Sequence, residues 1–428
     1  MSGMTSTPAG YRTIDVPLAR REEFVEVDRL AFALGPDPEA DAAPPLALDW
    51  TRTVALEQPD GTLAAVHASY PFALQVPGAS VPCAGLTWVA VRPDHRRRGL
   101  LSSMIGTHIE RSLARREPVS ALFASEPAIY GRFGYGSAAD DVRLTLGRGS
   151  ALRAVAGSAE LELRLESADT ARRDDLVQAV HAAHAAAGAG RPGWIQRTTP
   201  ALRARHLADP RSTWDGAEEL RIVTIRDGGR VRGYAMFRRK EDWTGRGPAG
   251  TVRVAELAAL DAAATHRLWS FLLDLDLMAT VESPMLAVDD TLLHLLVNPQ
   301  GAAPRVSDNL WVRLLDLPVA LGARRYAAPV DVVLEVTDAL VPANAGRWRV
   351  RSGAGPLPVA GYLAEVSATS DAADLTLDVR ELGATYLGGR SFGALARAGL
   401  VVEHRPGAAL AASSAFGWPT APLCSWVF

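Results

Sequence analysis

The chain has 428 residues, 48% of them apolar and 22% charged, with a net charge of −3; that suits a globular protein of about two to four domains. Mild acidity disfavours a general nucleic-acid binder, which is normally basic, and suits small cationic partners better. Only Cys83 and Cys424 occur, too few for a disulfide framework or a cysteine zinc site, which fits a reducing, cytoplasmic setting.

The opening MSGMTSTPAGYRTIDVP lacks the apolar core of a signal peptide. REEFVEVDRLAFAL is apolar at helical spacing. TVALEQ, LAAVHASYPFALQV and AGLTWVAV follow as a strand meander punctuated by PDG and VPGASVP turns. DHRRRGLLSSMIGTHIERSLARRE reads as a helix with Leu101, Met104, Ile105, His108, Ile109 and Leu113 inward. VSALFAS is a buried strand, and EPAIYGRFGYGSA leads into the strand DVRLTLGR. The next part repeats this grammar: a glycine-turn hairpin LRIVTIRDGGRVRGYAMFRRK, a strand TVRVAELAAL, and a helix ATHRLWSFLLDLDLMA. That helix is short and carries aspartates, so no membrane span is expected. Beyond Val306, strands (VDVVLEV, ADLTLDV) alternate with a helix (FGALARAGLV). The pattern is mixed α/β (α+β), with expected domains 1–150, 151–306 and 307–428.

The chemically informative segment is LTWVAVRPDHRRRGLLSSMI, Leu86 to Ile105. A strand ends at a proline, and a basic loop opens a helix near Gly99. Unpaired N–H groups at a helix start favour an anion such as a pyrophosphate. Gly99 lets backbone approach a ligand, and Arg96, Arg97 and Arg98 add charge. From spacing alone, a solvated basic helix start is an equal reading.

Strand, then Arg96-x-x-Gly99-x-Leu101, then helix, resembles the acetyl-CoA loop of the GNAT acetyltransferase superfamily, with Leu101 replacing its usual final Gly or Ala. VAVRPDHRRRGLLSSMI followed by ASEPAIYGRFGYGSA is similar to the enhanced intracellular survival (Eis) type of acetyltransferase. SDNLWVRLLDLPVAL, ELGATYLGG and the apolar, phenylalanine-terminated PLCSWVF extend the likeness along the chain. The resemblance implies two GNAT-like domains in tandem, the second without a cofactor site because ALDAAATHRLW replaces the arginine–glycine loop. A sterol-carrier-like domain would follow.

It also implies roles. Acetyl-CoA would lie along Val89, Ala90 and Val91, its pyrophosphate on Arg96, Arg97, Arg98, Gly99, Leu100 and Leu101, its thioester near Ser125. Tyr130 would be the general acid; a phenol of pKa about 10 can protonate a thiolate without ionising at rest. The Phe428 carboxylate would be the general base, raised from an ordinary value of about 3.5 by desolvation beside Trp426 and Val427. Val427 stands where the family often has an acid. Trp88, Phe32 and Asp308 would contact the substrate, with Trp50 in the pocket wall; the loop GPDPEADAAPPLALDW carries four acids. Each of these contacts has plain packing, or for the acids simple solvation, as its alternative. The implied activity is N-acetylation of aminoglycoside-like polycations at several amines by a cytoplasmic homo-hexamer, with no metal, nucleic acid or membrane. Protein lysine acetylation is an alternative. So is a non-catalytic role, with the sterol-carrier-like domain holding an apolar ligand.

Four other signals are set aside. GRSFG, Gly389 to Gly393, fits a nucleophile elbow, but only the adjacent Glu403 and His404 follow it. His181 and His184 share a helix face without a third ligand. Cys83 and Cys424 read as small buried hydrophobes, and Tyr135 as a structural neighbour of Tyr130.

Overall fold

The computed structural model describes residues 7–35, 47–166, 174–353 and 361–428. The first part contains β1 (Arg12–Asp15), α1 (Arg21–Phe32), β2 (Thr53–Glu57), β3 (Leu63–Val76), β4 (Ala79–Val91), α2 (Leu100–Ala114) and β5 (Val119–Leu122). A short α3 (Pro127–Tyr130), β6 (Gly136–Ser137), β7 (Asp140–Arg143) and β8 (Thr145–Gly147) follow. Strands β1 to β4 form an antiparallel meander, and α2 carries the chain over to β5, parallel to β4. α1 packs with Ala55 and Val66, and α2 with Leu56 and Ala65. Adjacent residues on a strand face opposite ways, so the two helices cover opposite faces. That explains why the first eight residues of β3 are all buried.

The second part contains β9 (Glu162–Glu166), α4 (Asp174–Ala187), α5 (Pro200–His206), β10 (Arg221–Asp227), β11 (Arg230–Lys240), the small hairpin β12 (Trp243–Thr244) and β13 (Gly247–Pro248), β14 (Gly250–Ala259), α6 (Ala262–Leu273) and β15 (Met278–Glu282). Its sheet runs β8-β15-β14-β11-β10-β9, with β14 and β15 again parallel across a helix. β16 (Leu286–Ala287), α7 (Thr291–Leu295) and β17 (Arg305–Asp308) come next, and β16 and β17 flank β7.

The last part begins with β18 (Trp311–Leu314) and α8 (Leu317–Ala323). A sheet β21-β20-β19-β22-β23 then forms from β19 (Asp331–Thr337), β20 (Gly346–Ser352), β21 (Ala364–Ala368), β22 (Leu375–Asp378) and β23 (Val401–Glu403). Its helices are α9 (Val379–Thr385), α10 (Phe392–Arg397) and α11 (Ala408–Phe416). β18 is not in that sheet. It inserts between β5 and β6 of the first sheet, pinned by a buried ion pair, Arg313 Nη2 to Asp338 Oδ1 at 2.8 Å. One apolar core therefore runs from Phe24 and Val66 through Val312 to Leu334 and Phe416.

The expected helix at Asp94 begins later. Residues 93–95 form a single 3-10 turn, and α2 starts only after Gly99, which is left-handed at φ 79°. Pro93 and that left-handed cap set the boundary.

Candidate active site

The site arises where β4 and β5 separate. They pair only from Cys83 with Val119 to Gly85 with Ala121; beyond Gly85, β4 has no partner on that side. Its other edge pairs with β3 except at a bulge, where Trp88 and Val89 fall between the paired Thr87 and Ala90. Trp88 is held there at φ 55°, an uncommon conformation for a bulky residue. Bulges re-aim side chains and free backbone groups, commonly beside active sites.

A cleft of about 820 Å³ follows the open edge. Val89, Ala90, Val91, Arg96, Arg97, Gly99, Leu100, Leu101 and Ser125 all line it. At the helix start, Arg97 at φ 62° and Gly99 at φ 79° break the extended backbone, and no side chain caps the first N–H groups of α2. A Cβ on Gly99 would meet only Pro8, at 3.7 Å, so the glycine serves backbone conformation more than space. An uncapped helix N-terminus between arginines fits a phosphate group. Free strand N–H and C=O groups fit an extended amide chain. The residues present thus suit a pantetheine-linked diphosphate.

Arg98 differs from its expected role. It is absent from the cleft lining, because its guanidinium donates to Tyr11 Oη (3.0 Å) and to the Asp94 carbonyl (3.1 Å). It braces the loop. Spacing missed Ser102, Arg132 and Phe133, which also line the cleft; Ser102 lies one turn above Gly99, the only signal it carried.

A second cavity of about 280 Å³ adjoins the first. Phe32, Val89, Ser125 and Tyr130 line both, and Asp28, Trp88, Phe123, Val427 and Phe428 are added in the smaller one. Tyr130 therefore stands at the junction. Burial, reinforced by Glu126, pushes its phenol up to about 12, so it holds its proton throughout the physiological range. Tyr135, edge-on to it at 6.1 Å, is fully buried and hydrogen-bonded to Ser120 Oγ at 2.8 Å.

Phe428 reaches this cavity along a tail that lies against the 192–197 segment and then against the first sheet. Asn309 clamps it: the Cys424 N–H donates to Asn309 Oδ1 (2.9 Å), and Asn309 Nδ2 donates to the Cys424 carbonyl (3.1 Å). The Phe428 ring then packs on Phe72 (4.8 Å), Phe123 (5.5 Å) and Trp426 (5.8 Å). It sits over Gly85, where a Cβ would lie 2.4 Å from Phe72 and 3.1 Å from Phe428. Val427 does not share in this burial. It is 61% exposed, so the apolar wall around Phe428 is aromatic and comes largely from the first domain.

Asp308 is not in either cavity. It pairs with Asp140 across β17 and β7 and accepts from Trp311 Nε1 at 2.7 Å. Trp50 lines neither cavity and packs edge-on to Phe24 at 5.7 Å. Asp37, Glu39 and Asp41 of the acidic loop lie outside the described residues. The acid that faces the cavity is Asp28, which sequence reading passed over although it lies one turn from Phe32 on α1. Burial raises it to about 6, against the pull of Arg29.

Among the described residues no cluster of three or more His, Cys, Asp or Glu is placed to hold a metal, and no helix is long and apolar enough to cross a membrane. Ser391 caps α10 by accepting from the Ala394 N–H at 3.0 Å; that is a local structural role.

Comparison with known proteins converges with this geometry. Acetyltransferase (GNAT) domain families match residues 15–138 and 193–314, and a sterol carrier protein domain matches 317–425. An uncharacterized N-acetyltransferase of Streptomyces coelicolor is 40% identical over 419 residues, covering 96% of this chain and 98% of that one. The N-acetyltransferase Eis of Mycobacterium tuberculosis is 35% identical over 330 residues, 76% of each chain. The crystal structure of Eis1 from Mycobacterium abscessus superposes with a TM-score of 0.81 at 30% identity, covering 98% of this chain and all of that one. With two tandem GNAT domains, a sterol carrier protein domain and relatives of this identity and coverage, this chain belongs to the Eis-type GNAT N-acetyltransferases.

Proposed function

We propose that the enzyme transfers the acetyl group of acetyl-CoA to amines of small aminoglycoside-like polycations. The carrying observation is that Tyr130 and Phe428 line one small cavity, which shares Phe32, Val89, Ser125 and Tyr130 with the cofactor-shaped cleft. Acetyl-CoA supplies an activated thioester. Arg96, Arg97 and the start of α2 hold its phosphates, and the free edge of Val89–Val91 holds its amide arm. In the smaller cavity Asp28 faces the substrate cation. With Phe428 as the terminal residue, its carboxylate accepts a proton from the substrate ammonium, and the neutral amine attacks the thioester carbonyl. As the C–N bond forms and the C–S bond breaks, Tyr130 donates its proton to the departing sulfur. A phenol raised to about 12 is a poor acid toward water. It is closer to matched with a thiolate generated in a desolvated site. Acylation of several amines on one acceptor follows if the cavity fixes charge more than shape. The resemblance further implies a homo-hexamer in the cytoplasm, which light scattering and fractionation would read.

The test is coenzyme A release from acetyl-CoA with a panel of aminoglycosides and lysine peptides, using protein with its native C-terminus. Turnover with several aminoglycosides is expected. Turnover with peptides alone would replace this reading by protein lysine acetylation. Silence with acetyl-CoA still binding would overturn the acceptor class, and absence of acetyl-CoA binding would favour a non-catalytic role. Appending residues after Phe428 is expected to abolish turnover while leaving the fold intact.

A further inference from the structure

The second domain contains a buried polar cluster built around an Arg197–Glu256 ion pair, and the mechanism above does not use it. Glu256 on β14 is 3% exposed. It accepts from Arg197, from Tyr234 Oη (2.6 Å) and is bonded to His206 Nε2 (2.8 Å). His184 Nε2 lies 3.6 Å from it. Glu256 sits immediately after a bulge, where Ala255 falls between the paired Val254 and Glu256. β14 also separates from β15 beyond Arg253. This is the topological counterpart of the Trp88–Val89 bulge in the first domain, so the cluster fills the place of an acceptor site.

The free side of the cluster faces the tail. His184 Nε2 is hydrogen-bonded to Ser425 Oγ at 2.8 Å. The Arg197 guanidinium lies 5.1 Å from the Trp426 ring centroid, within cation–π range. Trp426 Nε1 donates to the Ile195 carbonyl (2.9 Å), and the Leu423 N–H to the Pro192 carbonyl (2.9 Å). The same segment, through Gly193 and Trp194, bonds to Gln75 of β3. Glu256 pairs with both Nη groups of Arg197, and Arg197 and His184 together meet Trp426 and Ser425, two and three residues before Phe428. An unpaired buried charge would be costly, so this arrangement is held as a unit.

We propose that the second domain positions the tail: His184 and Arg197, anchored on Glu256, are positioning residues that set where Phe428 sits beside Tyr130. This rests on the reading of Phe428 as base. Ser425→Ala removes only the tail's side of the contact and leaves the second domain's core untouched. It is expected to lower kcat roughly ten- to a hundredfold, the scale of a remote misplacement of reacting groups, with the KM for acetyl-CoA unchanged. His184→Ala is expected to match it, and the double variant to be no worse than either single one; His184→Gln, which keeps a donor and acceptor at that position, should recover most of the rate. In parallel, carboxypeptidase should release Phe428 faster from Ser425→Ala than from the native chain. Native kcat in Ser425→Ala, losses that multiply in the double variant, or unchanged release of Phe428 would each overturn the proposal. Failure of the base reading shows separately: a chain extended beyond Phe428 would stay active, while faster release from Ser425→Ala would still report the anchor.

Discussion

The first and second domains share one core topology, and two of their differences bear on the site. In both, an antiparallel meander leads to a strand, a helix and a parallel strand that separates from its partner, with a bulge near the separation. At the helix start the first domain has Gly99 with no side-chain cap. The second has Asp261, whose carboxylate accepts from the Ala264 N–H at 2.9 Å and pairs with Arg232. Burial opposes its charge, yet the backbone N–H and Arg232 prevail and hold Asp261 below the usual carboxylate range. A built-in anion thus satisfies the N–H groups that would otherwise receive a phosphate. At the bulge the first domain opens Trp88 and Val89 onto cavities, whereas the second closes Glu256 with Arg197, His206 and Tyr234. The contrast lies in the residue at one helix cap and the company kept by one strand bulge.

Four experiments would break or sharpen that contrast. Tyr130→Phe should lower kcat by roughly 10²–10⁴ with little change in KM, read by steady-state kinetics; near-normal turnover would move the acid elsewhere. Combined Arg96→Ala and Arg97→Ala should raise the KM for acetyl-CoA roughly tenfold or more and flatten its salt dependence. Calorimetry of the native chain should give one acetyl-CoA per chain, and two would contradict the assignment of Asp261 as an internal anion. Asp28→Asn should raise the KM of a cationic amine several-fold, about the worth of one hydrogen-bonded charge.

The pH dependence of Asp28 has a defined sign. Its folded value of about 6 lies above the ordinary value near 4. Its negative charge is complete well above pH 6 and is lost as pH falls through 6, so amine KM should rise on acidification, and Asp28→Asn should remove that limb. For stability the sign is opposite. A raised carboxyl favours the fold at low pH, and that contribution disappears as pH rises through 6. The smallest effect belongs to Asp261→Ala, which should cost about 1 kcal/mol of stability as a lost helix cap, seen as a lowered melting temperature, with catalytic constants unchanged.

Much of the cleft lining was legible because its signals are local. The 86–105 segment carries strand, proline, arginines and glycine in one contiguous run, which backbone physics alone reads equally as an anion-binding turn or a solvated basic helix start; the family likeness favoured the first. Tyr130 and Phe428 were identified through family likeness, since a lone tyrosine and an apolar tail have ordinary structural readings. Arg98 shows the limit even inside the motif. Three consecutive arginines look equivalent on paper, but the αL turn at Arg97 sends Arg98 toward Tyr11 instead of the cleft. Asp308, expected from family likeness, and Trp50, expected from its place in the loop after α1, engage their own neighbours instead, while Asp28 entered the cavity by helical phase.

The sequence by itself determined the alternation of strands and helices, the glycine-led helix start and the tandem repetition, because each depends on residues within a turn or two of one another. The tertiary structure alone decided which contacts carry the tail to the cavity that Tyr130 lines. Asn309, His184, Arg197 and Gly85 bring the end of the chain to the opening of the first sheet through contacts between residues over a hundred positions apart. Such contacts leave no periodic trace in a sequence, since long-range packing selects each partner for shape and charge at one place only.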